Sequence, residues 1–372
     1  KAEQAAAALA DLLWEHKPLP GRTAAMDAGS RPSHHAVTGA ARSSAALPLV
    51  VVGHDERPGS PDLMVGVVRS LRRMSCRVVD IGLTTRPCFW FAVDHLKAAA
   101  GLFVTGAGSE PSWTGFDFVG PQPPAAPLSR GGDPSGFDLD RLEARMSGFT
   151  RRPTRQAGPY RMFQAFVPYE ASLWKHFHAL RPLVVCCGVG SRLVRRTLER
   201  VFATLPCRLV LVDVPVRARD VLAAADADVV RVSEAVRRTR AHLGVLIDDD
   251  GQRTGFLDER GRVVDAGAVT KLVGRLLLAE RPGGSVVVEG ASLALLAGDI
   301  ERCGGRALDG GACFAEMARA MRNEAAVLGG GTSGRLWFAE SFPTCDGILT
   351  LARVLDVLSR SDAAFSAVAE GL

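Results

Sequence analysis

Aromatic side chains and blocks of like charge are scarce in this sequence of 372 residues. Aromatic residues make up 6% of the chain, and 45 basic against 40 acidic side chains leave a net charge of +5. A nucleic-acid surface usually combines a basic stripe with aromatic side chains that stack on bases, so the composition argues against a nucleic-acid partner. No apolar run reaches the roughly 18 residues that cross a bilayer, so we expect no membrane partner either.

The cysteine pattern lacks the spacings of a zinc site or a redox pair. None of the eight cysteines forms a CxxC pair or belongs to a Cys/His zinc motif. Most lie in apolar segments, where a reduced cysteine behaves as a small hydrophobic side chain. With no signal peptide visible, this usage predicts a reducing, cytoplasmic compartment.

Apolar segments are abundant, and their order along the chain predicts the fold. Hydrophobic residues make up 47% of the sequence, which fits a folded globular protein. Strands expected at 49–53, 77–81 and 102–105 alternate with helices, one of which begins at Ser60-Pro61 with Ser60 as its N-cap. This alternation indicates a mainly parallel sheet. Because it recurs, we predict three tandem α/β/α units with mixed, mainly parallel sheets. Their predicted bounds are residues 1–150, 151–264 and 265–372.

A helix expected at 232–243 leads into a strand expected at 245–247, and polar residues follow that strand. Asp248, Asp250 and Gln252 occupy alternate positions, so along an extended chain they share one side. Open α/β sheets bind ligands at the carboxyl ends of their strands, and oxygen donors suit a hard cation such as Mg²⁺. These three residues are therefore candidate metal ligands. The alternative interpretation is a solvated acidic turn between two strands.

Two further polar loops follow expected strands in the other two units. The first loop, 105–116, has the sequence TGAGSEPSWTGF, and the third loop, 330–335, has the sequence GGTSGR. Together with the second loop, DDDGQR at 248–253, and GHDERPGSPDL at 53–63, they resemble in order and spacing the α-D-phosphohexomutase family of phosphoglucomutases and phosphomannomutases. The corresponding family patterns are T-A-S-H-N-P followed by N-G-F/Y, then D-G-D-G/A-D-R, then G-E-x-S-G-H. A Rossmann-type nucleotide-binding enzyme is less well supported, since 188–190 (GVG) lacks the third glycine of that fingerprint.

The resemblance implies a reaction and a cofactor. Members of the family move phosphate between the 1- and 6-hydroxyls of a hexose through a phosphorylated serine in the first loop. Three aspartates of the second loop bind Mg²⁺, the third loop holds sugar hydroxyls, and a fourth domain binds the non-reacting phosphate. Such phosphoryl transfer depends mainly on positioning and charge neutralisation. We do not expect the fourth domain in this chain, because the sequence ends shortly after the helix expected at 346–358.

The first loop departs from the family pattern at its most important position. Threading the pattern from Thr105 places Ala107 where the serine belongs, and anchoring it on Pro111 places Gly108 there. Neither residue has a side-chain oxygen that could carry phosphate. Ser109 lies close by and is a possible substitute.

The other two loops also depart from the pattern. In the second loop Asp248 and Asp250 match two metal ligands, Gln252 replaces the third aspartate, and Arg253 matches the family arginine. We therefore expect Mg²⁺ binding to be weak or lost. In the third loop Ser333 matches, while a glycine replaces the glutamate and Arg335 replaces the histidine. The resemblance implies that Arg253, Ser333 and Arg335 contact a hexose phosphate.

Two functions remain open on this basis. The first is a phosphoglucomutase/phosphomannomutase-like protein that has lost or impaired phosphate transfer and keeps a sugar-phosphate-binding or regulatory role. The alternative is an active Mg²⁺-dependent phosphohexomutase, an intramolecular phosphotransferase that uses Ser109 or a rearranged loop. The sequence identifies no protein partner.

Overall fold

The computed structural model describes residues 1–16, 47–106, 108–109, 112–120, 139–148, 154, 156–339 and 344–371. Within these residues the chain forms three successive α/β units, and each is built around a five-stranded sheet. Each sheet combines parallel central strands with at least one antiparallel pair. The predicted fold class, three tandem α/β/α units with mixed and mainly parallel sheets, is confirmed.

The sheet of the first unit has the order β4-β3-β1-β2-β5. Its strands are β1 (Leu49–His54), β2 (Arg77–Leu83), β3 (Ala100–Thr105), β4 (Gly115–Val119) and β5 (Tyr160–Met162), and its helices are α1 (Ala2–His16), α2 (Ser60–Arg73), α3 (Arg86–His95) and α4 (Leu139–Ser147). Successive residues of β1 alternate between the two faces. Val50 and Val52 pack beneath α1 and α2, while Val51 packs with Phe89 of α3. The predicted boundary at 150 falls before β5, which pairs in parallel with β2.

The sheet of the second unit has the order β10-β9-β8-β6-β7. Its strands are β6 (Val184–Val189), β7 (Arg208–Asp213), β8 (Leu243–Ile247), β9 (Thr254–Leu257) and β10 (Val263–Val264), and its helices are α6 (Arg192–Phe202) and α7 (Ala227–Thr239). Helix α5 (Phe166–Trp174) precedes it and packs against both α3 and α6. β8 is buried along its whole length, so the loop that follows it is held at a fixed depth in the molecule.

The sheet of the third unit has the order β12-β11-β13-β14-β15. Its strands are β11 (Ser285–Val288), β12 (Arg306–Asp309), β13 (Leu328–Gly330), β14 (Leu336–Phe338) and β15 (Thr344–Cys345), and its helices are α8 (Ala266–Glu280), α9 (Leu293–Arg302), α10 (Phe314–Asn323), α11 (Gly347–Ser359) and α12 (Phe365–Glu370). One apolar cluster contains buried residues of all three units and joins them. Among the described residues, none of the helices has the length and apolar character that crossing a membrane requires.

Two local predictions are wrong, for identifiable reasons. Ser60 is not the N-cap of α2, because its hydroxyl donates instead to Asp55 Oδ1 at 2.6 Å and the cap position is Gly59. The helix predicted at 232–243 lies at Ala227–Thr239. Asp226 caps its start by accepting the backbone N–H of Asp228, and a left-handed Arg240 ends it. The signal for this cap was present, an aspartate directly before Ala227 and the buried Val229, but the predicted start at 232 lay beyond it.

Candidate active-site cleft

Asp55, directly after β1, organises the start of the first loop. Its Oδ2 accepts hydrogen bonds from the Thr105 hydroxyl at 3.0 Å and from the backbone N–H of Gly106 at 2.8 Å. Its Oδ1 accepts from Ser60 at 2.6 Å and from the backbone N–H of Arg57 at 3.1 Å. Four donors therefore fix one carboxylate, and the carboxyl ends of β1 and β3 are tied together.

Arg57 holds the remainder of the first loop. Its Nη1 donates to the carbonyl of Trp113 at 3.0 Å, and its Nη2 donates to the carbonyl of Ser109 at 2.7 Å. A Cβ at Gly106 would lie 2.6 Å from Arg57 Nε and closer still to the Trp113 carbonyl, so only glycine fits beneath this arginine. Ser109 itself is exposed, whereas the nucleophile position, Ala107, lies outside the described residues.

The second loop is a tight hairpin turn between β8 and β9 rather than an extended segment. The backbone N–H of Asp248 donates to the Arg253 carbonyl at 3.1 Å, and Gly251 turns the chain with a φ of 78°. Asp248 Oδ1 accepts the backbone N–H groups of Gln252 and Arg253 at 2.9 and 3.0 Å. One oxygen of a predicted metal ligand is thus used to hold the turn closed.

Arg86, the first residue of α3, places its guanidinium among the second-loop side chains. Its Nη1 donates to Asp250 Oδ2 at 2.9 Å and to Gln252 Oε1 at 3.3 Å. Its Nη2 lies 2.5 Å from Oδ2 of Asp117, which is on β4. Two of the three predicted metal ligands therefore accept hydrogen bonds from one arginine of the first unit.

Burial and neighbouring charges shift the pKa values of Asp248 and Asp250 in opposite directions. Burial and the neighbouring Asp250 raise the pKa of Asp248 well above its usual value, and the two carboxyl groups share a hydrogen bond. Burial opposes the charged form of Asp250 as well, but Arg86 and the hydrogen bond from Asp248 hold the pKa of Asp250 below its usual value. Burial also acts against charge on Arg86, but Asp117 and Asp250 raise its pKa above the ordinary range. Asp250 is consequently the ionised partner of Arg86.

Asp249 points away from this cluster. Its Oδ2 accepts the backbone N–H of Arg217 at 2.9 Å and lies 3.4 Å from Nη2 of Arg219. A Cβ at Gly190 would lie 2.5 Å from Asp249 Oδ1, so the carboxylate fills the space beside that glycine. Burial, only partly offset by Arg219, raises the pKa of Asp249 to about 6. Asp249 therefore belongs to the packing of the second unit and not to the cluster around Asp250.

A glutamate that the loop patterns did not single out supports the third loop. Glu289 follows β11, and its carboxylate accepts from both the hydroxyl and the backbone N–H of Ser333. A Cβ at Gly331 would lie 2.8 Å from Glu289 Cβ and closer still to Oε2. The Glu289 side chain thus occupies the space beside the glycine that stands at the family's glutamate position.

The second and third loops are joined directly. Arg253 Nε donates to the Ser333 carbonyl at 3.0 Å, and Arg253 also forms an isolated β-bridge with Arg335. The backbone N–H of Thr254 donates to the Gly334 carbonyl at 2.9 Å. The predicted substrate-contacting residues Arg253, Ser333 and Arg335 therefore lie together, although Arg253 is partly used in holding the third loop.

A cavity of about 710 Å³ opens between the first and third units at these loops. Arg86, Gln252, Glu289, Ser333 and Arg335 contribute polar groups to its walls, and aromatic side chains of both units contribute apolar surface. Gln252 is 1% exposed, and its Nε2 has no hydrogen-bond partner among the described residues. A buried amide donor without a partner is costly unless a ligand or water satisfies it.

The resemblance implies Mg²⁺, but the donor set found here does not fit it. Across the described residues, no group of three or more His, Cys, Asp or Glu side chains is arranged to hold a metal ion. Arg86 already donates to Asp250 and Gln252, and Asp248 holds the turn. Mg²⁺ is usually held by one or two carboxylates with free oxygens, and waters complete its octahedral shell. Here the oxygens of Asp248 and Asp250 accept hydrogen bonds from the protein instead.

Sequence reasoning missed Asp55, Arg86, Asp117 and Glu289 as members of the site. A signal was present for three of them, because Asp55, Arg86 and Glu289 each stand within three residues of the carboxyl end of a parallel strand. That edge is where open α/β sheets assemble their sites. Asp117 gave no such signal, since it lies inside an antiparallel strand that the sequence pattern did not predict.

The chain is a multi-unit α/β protein. Polar loops at the carboxyl ends of its strands come together from all three sheets and form one candidate ligand cleft. Residues 34–130 match the sequence model described as phosphoglucomutase/phosphomannomutase, alpha/beta/alpha domain I, and residues 270–372 match the model of domain III. The chain belongs to this family, the phosphohexomutases.

Curated relatives match most of the chain. A phosphoglucomutase/phosphomannomutase of Thermococcus kodakarensis is 25% identical over 346 residues, which cover 87% of this chain and 72% of that protein. A protein of Xanthomonas campestris named phosphohexose mutases is 27% identical over 318 residues, 84% of this chain and 69% of that protein. These homologues support a phosphoglucomutase/phosphomannomutase-like function.

Solved structures agree on the fold. A phosphoglucomutase/phosphomannomutase family protein from Burkholderia thailandensis superposes with a TM-score of 0.78 at 21% identity, covering 100% of this chain and 75% of that one. A putative phosphomannomutase from Thermus thermophilus gives a TM-score of 0.72 at 19% identity, covering 100% and 78%. At these identities the likeness concerns the fold alone.

Proposed function

We propose that this phosphohexomutase-family chain binds a hexose phosphate in the cleft between its three loops and has lost or impaired phosphate transfer. One observation carries the binding half of the proposal. Gln252 buries an amide donor without a partner in the wall of a cavity that Ser333 and Arg335 also line. An oxygen-rich ligand satisfies that donor, and Arg335 supplies a cation for its phosphate.

The loss of transfer is proposed from the first and second loops. Ala107 stands at the position of the phosphorylated serine and has no oxygen to carry phosphate. Gln252 replaces the third aspartate, and the donors around Asp248 and Asp250 leave Mg²⁺ binding weak or lost. Either change alone removes a part that in-line transfer requires.

Calorimetric titration with glucose 1-phosphate and mannose 1-phosphate tests the binding half. We expect saturable binding to the wild type and, for Arg335→Ala, a loss of about ten-fold or more, the usual range for one charge-assisted contact. Arg302→Ala is the matched control, because Arg302 lies on α9 with an exposed side chain paired to Asp299. Equal affinity of both variants, or no binding by the wild type, contradicts the proposal.

An active mutase that uses Ser109 is the second candidate. Ser109 is exposed and lies with Arg57, Arg192 and Arg217 in the wall of a cavity of about 320 Å³. Incubation with glucose 1-phosphate, glucose 1,6-bisphosphate and Mg²⁺ decides between the two. This candidate is supported if glucose 6-phosphate forms, if the mass of the intact protein increases by one phosphate, and if Ser109→Ala abolishes both. Absence of turnover supports the first.

A further inference from the structure

Arg86 stands at the centre of the cleft. Its guanidinium contacts Asp117 of the first unit and both Asp250 and Gln252 of the second. Its side chain contributes to the walls of three cavities around the loops, with volumes of about 710, 320 and 250 Å³. One cation therefore engages acceptors of two units and lines three cavities around the loops.

The first turn of α3 fixes where that cation lies. Thr85 caps the helix by accepting the backbone N–H of Cys88 at 3.4 Å, and Pro87 stands in the first turn. The Pro87 ring also packs near the second-loop turn, where a Cβ at Gly251 would lie 3.6 Å from it. Because α3 is anchored beside the turn, Arg86 reaches Asp250 from a rigid helix start rather than from a free loop.

The second loop has no open set of oxygens for a divalent ion beside this arginine. Asp250 Oδ2 and Gln252 Oε1 both face Arg86 Nη1, and Asp250 Oδ1 accepts the backbone N–H of Gln252 at 3.0 Å. Asp248 Oδ1 accepts two backbone N–H groups. A divalent ion would have to displace Arg86 from Asp250 and would then lie next to a partly buried positive charge. Such like charges repel strongly at low dielectric.

We propose that Arg86 is the resident cation of this cleft. Its guanidinium lies among the second-loop oxygens and replaces a divalent metal ion there. A guanidinium suits this position because it is permanently charged and presents its donors in a planar fork. Arg86 Nε is buried and has no hydrogen-bond partner among the described residues, so one donor remains for an anionic ligand. The proposal concerns the cation alone and does not depend on which ligand the cleft binds.

Titration of the wild-type chain with Mn²⁺, followed by electron paramagnetic resonance of the free ion, is the first test. We expect no Mn²⁺ binding that depends on Asp250, so wild type and Asp250→Asn should give the same titration. One Mn²⁺ bound per wild-type chain, and lost in Asp250→Asn, overturns the proposal.

Arg86→Ala provides the second test, because it empties the cation position. We expect its melting temperature to fall below that of the wild type. Adding Mn²⁺ or low-millimolar guanidinium chloride should restore part of this loss, whereas sodium chloride at the same ionic strength should not. We also expect this variant to gain Mn²⁺ binding that the wild type lacks, since the competing charge is gone. Failure of both cations to stabilise Arg86→Ala overturns the proposal.

Arg262→Ala is the matched control for this rescue. Arg262 Nε lies 2.7 Å from the buried Asp258, so the variant also strips an arginine from a buried carboxylate, but away from the three loops. We expect neither Mn²⁺ nor guanidinium to stabilise it selectively, and equal rescue of both variants overturns the assignment to Arg86. If Arg86→Ala does not fold, Arg86→Lys keeps the charge and should still exclude Mn²⁺. Tight, Asp250-dependent Mn²⁺ binding by Arg86→Lys overturns the proposal.

Discussion

The Glu289 carboxylate lies against Gly331 and fills the space that a side chain there would need. A Cβ at Gly331 would come within 2.8 Å of Glu289 Cβ, and nearer still to its Oε2. Glu289 also accepts from the hydroxyl and the N–H of Ser333. A carboxylate is thus present beside Gly331, but it belongs to the residue that follows β11. The replacement of glutamate by Gly331 therefore does not leave the third loop without an acidic group.

This relationship predicts strong coupling between positions 289 and 331. Gly331→Ala should destabilise the third unit by about 1–3 kcal/mol, the range for inserting a methyl group into filled space. In a Glu289→Gly background the same change should cost clearly less, because the obstructing side chain is gone. Urea unfolding of the two single variants and the double variant measures the coupling, which we expect to exceed about 0.5 kcal/mol. Strict additivity would show that the two side-chain positions are independent.

Asp55 should control the order of the first loop. Asp55→Ala leaves four donors, on Arg57, Ser60, Thr105 and Gly106, without their acceptor. We expect a loss of roughly 3 kcal/mol, because several buried donors lose a charged partner, together with faster hydrogen exchange in peptides spanning 102–109. Asp62→Ala, which removes an exposed carboxylate from the first turn of α2, is the control and should cost less than about 1 kcal/mol. Unchanged exchange in Asp55→Ala would contradict this role.

Much of the fold was predictable from apolar periodicity. The central strands β1, β3, β6 and β8 are buried runs bounded by polar residues, and such runs alternating with helices predict parallel sheets. The edge strands were not predictable in the same way. β15 has two residues and β5 is exposed throughout, so each is a strand only because a neighbour pairs with it.

The candidate site was predictable within each loop and not between units. The carboxyl end of β8 placed Asp248, Asp250 and Gln252 together, because residues near one strand end must lie close to each other. The partner of Asp250 could not be predicted in this way. Arg86 lies 164 residues earlier in the sequence, and only the docking of α3 against the second unit brings it to Asp250. The contact makes Asp250 part of an ion pair between two units, which the sequence of the second loop alone did not indicate.

The chain has two tyrosines, and they give a matched pair of hydrogen-bond deletions. Tyr169 is buried and donates to Asp346 Oδ2 at 2.7 Å, whereas Tyr160 is 42% exposed and donates to Asp80 Oδ2 at 2.9 Å. Tyr169→Phe should cost about 1.5–3 kcal/mol, since it leaves a buried carboxylate oxygen without a donor. Tyr160→Phe should cost less than about 0.5 kcal/mol, because water replaces its hydroxyl. Denaturant unfolding of the two variants checks this order, and equal losses would contradict it.

His176 should make the stability of the protein fall as the pH is lowered. Burial, reinforced by nearby Arg353 and Lys175, lowers the pKa of His176 from 6.5 to about 3. The unfolded chain therefore binds a proton at His176 before the folded chain does. The contribution of His176 is fully present above pH 6.5 and is lost as the pH falls toward about 3. His176→Gln should give a flatter dependence of the unfolding free energy on pH below 6.5, measured by urea unfolding at several pH values. His178→Gln changes an exposed neighbour and should keep the wild-type dependence of the unfolding free energy on pH. If His176→Gln keeps it too, other groups cause the pH dependence.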